Sequence, residues 1–157
     1  MNRRRTLKGL ALSAFACIAI YSCTHVSGSY ISSHGSRAGS SMKDNCMNCH
    51  QTGATYGGFI VAGTVVKEGG STRNPNGTVY LFTVPNGVLG KDSVIATIEV
   101  DGVGNFYTTH PIDLSKGFYP AVNNASGDDS VHHMQSETTI GSCNSCHGVS
   151  QANIYVK

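Results

Sequence analysis

The 157-residue chain carries a formal net charge of +2, from eleven Lys and Arg against nine Asp and Glu, and it contains six Cys. Four of the cations crowd the N-terminus, so the 135 residues from Cys23 onward hold seven basic and nine acidic side chains, near −2. That balance excludes a basic surface for nucleic acid, and the length suits one compact domain.

Residues 1–22 read as an export signal. Arg3, Arg4, Arg5 and Lys8 form a basic head, followed by an apolar run from Leu10 to Ile20. About eleven apolar residues are too few to span a bilayer and the right number for a secretory signal. The run ends in Ile20-Tyr21-Ser22-Cys23, which resembles a bacterial lipobox. The resemblance implies that Cys23 becomes the first mature residue and carries a lipid. Thr24 lacks the Asp that retains some lipoproteins at the inner membrane, which leans the location toward the outer membrane or cell surface. Residues 23–41 are rich in Ser and Gly, the composition of a flexible tether between the lipid and the domain.

The domain, residues 42–157, opens with Cys46-Met47-Asn48-Cys49-His50 in a segment spanning 42–57. A β-rich stretch follows over 58–122. Phe59 to Val66 is the first expected strand, then Thr78–Val84, Ser93–Val100, Gly104–Thr109 and Phe118–Val122, all rich in Val, Ile, Thr, Tyr and Phe. Asn74-Pro75-Asn76-Gly77, Pro85-Asn86-Gly87, Asp101-Gly102 and Ser126-Gly127-Asp128 supply turn chemistry between and after them. The last segment, 123–157, reads as loop and contains Cys143-Asn144-Ser145-Cys146-His147. The fold expected is mainly β: a small antiparallel sandwich flanked by two loop-rich segments.

The two five-residue strings share the pattern C-x-x-C-H, the attachment signature of c-type haem. Two thiols three positions apart can form thioethers to the two vinyl groups of one porphyrin, and the next residue, a His, is held under the iron. Two covalently bound haem c groups are therefore expected, on Cys46 and Cys49 and on Cys143 and Cys146, with His50 and His147 as proximal ligands. The Cys count closes on this assignment. With Cys17 in the signal and Cys23 at the lipid, the four remaining Cys are those of the two strings. A zinc site built from the same four thiolates is the competing reading. Zinc knuckles are ordinarily separated by about 15–20 residues, far fewer than here, and zinc leaves the paired His unexplained. Haem attachment to an unfolded, reduced chain outside the cytoplasm also favours the general secretory route over the twin-arginine export that Arg4-Arg5-Thr6-Leu7-Lys8 resembles.

Second axial ligands are sought among the other His. His34 precedes Cys46 by twelve residues, and His132 and His133 precede Cys143 by eleven and ten. The two halves thus repeat one layout, and His34 with one of His132 and His133 are the candidates, His133 preferred. His25 belongs to the tether, His110 is in reserve, and Met42 and Met134 are the thioether competitors. Paired His ligation gives a lower potential than His/Met.

Ala62-Gly63-Thr64-Val65, Asn76-Gly77-Thr78-Val79-Tyr80-Leu81 and Asp101-Gly102-Val103-Gly104-Asn105-Phe106-Tyr107 resemble, in that order, the strands of carboxypeptidase regulatory-like or transthyretin-like modules. The resemblance implies an Ig-like sandwich serving as scaffold, without an active site. The paired C-x-x-C-H strings are similar to those of multihaem c-type electron carriers. That likeness implies one-electron transfer between redox proteins, other cytochromes above all, in the cell envelope, with self-assembly into a haem chain as an extension. A haem enzyme with one open iron, such as a peroxidase or small-molecule reductase, and a haem-based sensor or adhesion module are the alternatives.

Overall fold

The computed structural model describes residues 36, 44–53, 57–70, 72–124 and 131–156. The expectations placed on the signal, Cys23, His25, His34 and Met42 lie outside those residues.

Segments rich in Val, Ile, Thr, Tyr and Phe build the strands β1 (Val61–Lys67), β2 (Thr78–Phe82), β3 (Val94–Glu99), β4 (Asn105–Thr108) and β5 (Tyr119–Asn123). These match the five expected from sequence to within two residues at each end. Asn76 and Asn86 take positive φ (64° and 53°) in the turns flanking β2, a conformation Asn tolerates better than most side chains. Two further strands, β6 (His132–His133) and β7 (Ile154–Val156), come from the segment read as loop. Each C-x-x-C-H string opens as a short 3-10 turn, Cys46–Asn48 and Cys143–Ser145.

The strands form two sheets of a small β-sandwich, ordered β4-β1-β7 and β3-β2-β5-β6. Val61, Val65, Phe106 and Val156 from the first sheet meet Val79, Leu81, Ile98 and Val122 from the second in one buried cluster, completed by Val100 and Phe118. Phe106 and Phe118 of this cluster are almost wholly buried, as is Phe82 outside it, each worth about 1.5–3 kcal/mol of apolar transfer.

The antiparallel expectation fails at one pairing. β1 runs antiparallel to β4 but parallel to β7, with Val65, Val66 and Lys67 opposite Ile154, Tyr155 and Val156. Hairpin partners must run antiparallel, whereas β7 reaches β1 only after the chain has crossed the other sheet, so either direction is open to it. Nor is the C-terminal segment merely a flank, since it supplies an edge strand to each sheet. β6 extends the sheet of β5, and β7 extends the sheet of β1.

Candidate functional site

The two C-x-x-C-H strings have the same backbone geometry. In each, the His N–H donates to the carbonyl of the first Cys at 3.0 Å, and the second Cys N–H donates to the same carbonyl, at 3.3 Å in the first string and 3.2 Å in the second. This winding brings the two Cys and the His of each string onto one short turn. The residue preceding each is a helix-capping type. Asn45 caps the first turn by accepting from the Met47 N–H at 3.1 Å. Ser142 stands at the same position of the second, but its hydroxyl is turned elsewhere.

Both His rings are oriented the same way. His50 Nδ1 lies 3.2 Å from the Gly57 carbonyl, and His147 Nδ1 lies 2.6 Å from the Ala152 carbonyl. A carbonyl only accepts, so in each ring Nδ1 carries the proton and Nε2 keeps its lone pair for a metal. A second-sphere carbonyl of this kind is the usual device for holding a ligand imidazole in one tautomer. The His50 ring is also stacked on Phe59 (centroids 4.0 Å apart, planes 7° apart), and Phe59 on Tyr107 at 4.4 Å.

Although 97 positions separate them, the capping residues of the two turns touch. Ser142 Oγ donates to Asn45 Oδ1 at 2.7 Å. The second turn is fastened to β1 as well. Asn144, a buried residue between the two Cys, accepts the Thr64 N–H at 2.9 Å, and the Ala62 N–H donates to the Gly141 carbonyl at 2.9 Å. Such proximity demands glycine on both sides. A Cβ on Gly63 would stand 3.0 Å from that of Cys143 and collide with the Phe106 ring, and one on Gly141 would strike the Ile60 carbonyl.

Beside the first turn, Asp101 organises a polar cluster. Its Oδ1 accepts from the Val103 and Asn105 N–H groups at 3.0 and 2.9 Å, and its Oδ2 accepts from the backbone N–H (2.9 Å) and hydroxyl of Ser36. Asn105 passes the network on, accepting from Arg73 and Thr64, both at 2.8 Å. Burial pushes the Cys46 thiol up, opposed by a backbone hydrogen bond and by the Arg73 guanidinium. Cys143, packed against the core, is pushed up by burial to about 12, with a further contribution from the Cys146 and Cys46 sulfurs. Cys49 and Cys146 are exposed. A redox dithiol depends on a lowered thiol pKa, the opposite of what Cys143 has. Among the described residues no three His, Cys, Asp or Glu side chains are grouped so as to hold a metal ion.

A cavity of about 580 Å³ opens where the two sheets part. Val79 and Val122 of one sheet and Phe106 and Ile154 of the other line it, together with Cys143, Cys146 and His147 of the second turn. His132, His133 and Met134 reach the same cavity from the edge of the β5 sheet. Its volume lies in the ordinary range for sites that enclose a small molecule, about 300–1,000 Å³. Ile140 and Tyr155, two of the larger exposed hydrophobic residues, belong to its lining.

Of the sequence candidates, the structure thus brings Cys143, Cys146, His147, His132 and His133 to one cavity and sets Cys46, Cys49 and His50 on the adjoining turn. The reserve ligand His110 is left exposed just past β4. Sequence reading missed Asn45, Ser142, Asn144 and Gly63. Asn and Ser directly before each first Cys were a visible capping signal, whereas their mutual contact was not. No family model, curated protein or solved structure matches the chain.

Proposed function

We propose that the chain is an exported dihaem c-type cytochrome that passes single electrons between redox partners at the cell envelope. The observation that carries this reading is the duplicated turn: two C-x-x-C-H strings with one backbone geometry, each His holding Nδ1 against a carbonyl and keeping Nε2 for iron. The donor set fits haem c, since thioether bonds take neutral sulfur, which suits a buried Cys143 that resists ionisation. The second turn also faces a largely apolar cavity of about 580 Å³ with imidazoles on its far side. Cys46 with Cys49 and Cys143 with Cys146 would hold the two groups, and His50 and His147 would be their proximal ligands. Each group, when bound, supplies one reversible electron.

The protein's own part is to hold the groups rigidly and side by side. The Ser142–Asn45 contact keeps the two turns together, and the transthyretin-like sandwich is their frame. His34 and one of His132 and His133 would hold the irons from the other side in this reading. Irons with both axial positions filled have no vacancy for substrate, which favours an electron carrier over a haem enzyme or a gas sensor. Lipid on Cys23 would keep the domain at the membrane, with outer membrane or cell surface the expected location. Other cytochromes are the expected partners, meeting it through small, transient interfaces, and self-association into a haem chain extends the same reading.

The test is an absorption spectrum of the protein matured with its haem, oxidised and reduced, with and without carbon monoxide, beside a pyridine haemochrome count. Two haem c per chain and reduced bands unmoved by carbon monoxide are expected. A carbon monoxide shift in half the absorbance would transfer the reading to an enzyme or sensor. A matured protein without covalent haem would end it.

A further inference from the structure

The sequence spacing prefers His133 over His132, its neighbour on the same short strand, but strand register favours the other. Side chains alternate faces along a strand, and directly opposed residues on neighbouring strands share a face. In the four-stranded sheet Val79 of β2 opposes Val122 of β5, and Val122 opposes His132 of β6. Val79 and Val122 both belong to the buried cluster between the sheets, so His132 projects from the inner face. Tyr80 opposes Ala121, and Ala121 opposes His133, so the His133 side chain leaves the sheet on the outer face although the residue also borders the cavity. Ring contacts agree with both placements. His133 lies 5.8 Å from Phe82, itself 6.1 Å from Tyr80 along the outer face. His132 lies 5.9 Å from Tyr155 of β7, a strand of the opposite sheet, and both border the cavity that Cys143 and His147 also line.

The setting of Nδ1 also separates His133 from the two proximal His. His50 and His147 both hold Nδ1 against a carbonyl, the arrangement that orients an imidazole for a metal. His133 Nδ1 is buried without a hydrogen-bond partner and lacks that second-sphere support. Met134 continues the register onto the inner face, its N–H donating to the carbonyl of Pro120, but it lies beyond the end of β6.

We propose that His132, and not His133, is the second axial ligand of the iron whose haem is carried by Cys143 and Cys146, with His147 on the other side. The inference rests on the haem reading of the two strings and deepens it by naming the ligand. It is tested on the full, haem-loaded protein with His132→Ala, His133→Ala and Met134→Ala, read by haem count, by electron paramagnetic resonance of the oxidised state, and by carbon monoxide binding to the reduced state. His132→Ala should keep two covalent haems and convert one of them from low-spin to high-spin, with half the reduced absorbance now shifted by carbon monoxide. His133→Ala and Met134→Ala should leave both irons low-spin. A low-spin loss in His133→Ala or Met134→Ala, with His132→Ala unaffected, overturns the assignment. Should His132→Ala fail to accumulate, His132→Met supplies the second arm: it should stay low-spin with a raised midpoint potential for one haem, and an unchanged potential overturns the proposal. Absence of covalent haem from the parent protein would instead defeat the underlying haem reading, so the two failures are told apart by the haem count.

Discussion

At single positions the site depends on how closely backbones approach. Gly141 lies against the Ile60 carbonyl while its own carbonyl accepts from Ala62, so the start of the second turn and β1 are in direct backbone contact. Gly141→Ala should push them apart and cost about 1–3 kcal/mol, the usual range for overpacking, measured as a lowered midpoint in urea. An unchanged midpoint would mean that the approach is looser than described. Cys143 offers a titration instead. Folding holds its thiol at about 12, above the ordinary value near 8.5, so folding favours the neutral form. The sign is then set: this contribution is complete below about pH 8.5 and is lost as pH rises toward the folded value. The haem-free chain should therefore lose stability progressively above pH ~9, and Cys143→Ala should make that decline shallower. In the same chain an alkylating reagent should reach the exposed Cys146 well before Cys143.

Among the elements, the second turn owes its placement to a buried side chain between its two Cys. Asn144 accepts the Thr64 N–H, in register with the contacts that Gly141 and Ser142 make to Ala62. Removing the acceptor leaves a buried N–H without a partner, which costs about 1–3 kcal/mol. Asn144→Ala should lower stability by that amount, read by chemical denaturation, and should reduce haem occupancy at Cys143 and Cys146 more than at Cys46 and Cys49. Equal occupancy at both strings would count against the anchoring role. The five long strands were legible from their enrichment in Val, Ile, Thr and aromatic residues between turn signals. β6 and β7 were not, because two or three residues show no period, and His132–His133 forms a strand only because β5 presents an edge to pair with.

Across the whole molecule, the sandwich brings together two strings that lie near opposite ends of the domain's sequence. The Ser142 hydroxyl on Asn45 joins the turns at 2.7 Å, so groups held by them would share a boundary. Charge on one then acts on the other through protein of low effective dielectric, and the second electron should be harder to add than the first. A spectropotentiometric titration should show two waves, and the oxidised irons should give resonance signals broadened by their mutual interaction. Replacing Cys46 and Cys49 together with Ala, which on the proposed reading would remove one haem, should return the remaining signal to an unbroadened form. Signals that are the plain sum of two independent irons would contradict the proximity.

What could be read from the sequence was whatever depends on neighbours along the chain. The C-x-x-C-H strings are local chemistry, the strands are local composition, and the Asn and Gly turns are local backbone preference. The mainly β class and two sheets followed from those signals, and the structure carries both. Three matters belonged to the tertiary fold alone: the contact between the two turns, the parallel pairing of β7, and the opposite faces taken by His132 and His133. Each depends on register between segments far apart in sequence, and register is set by which apolar faces are buried together. A shift of one residue at β5 and β6 would exchange the two His and leave every local signal unchanged.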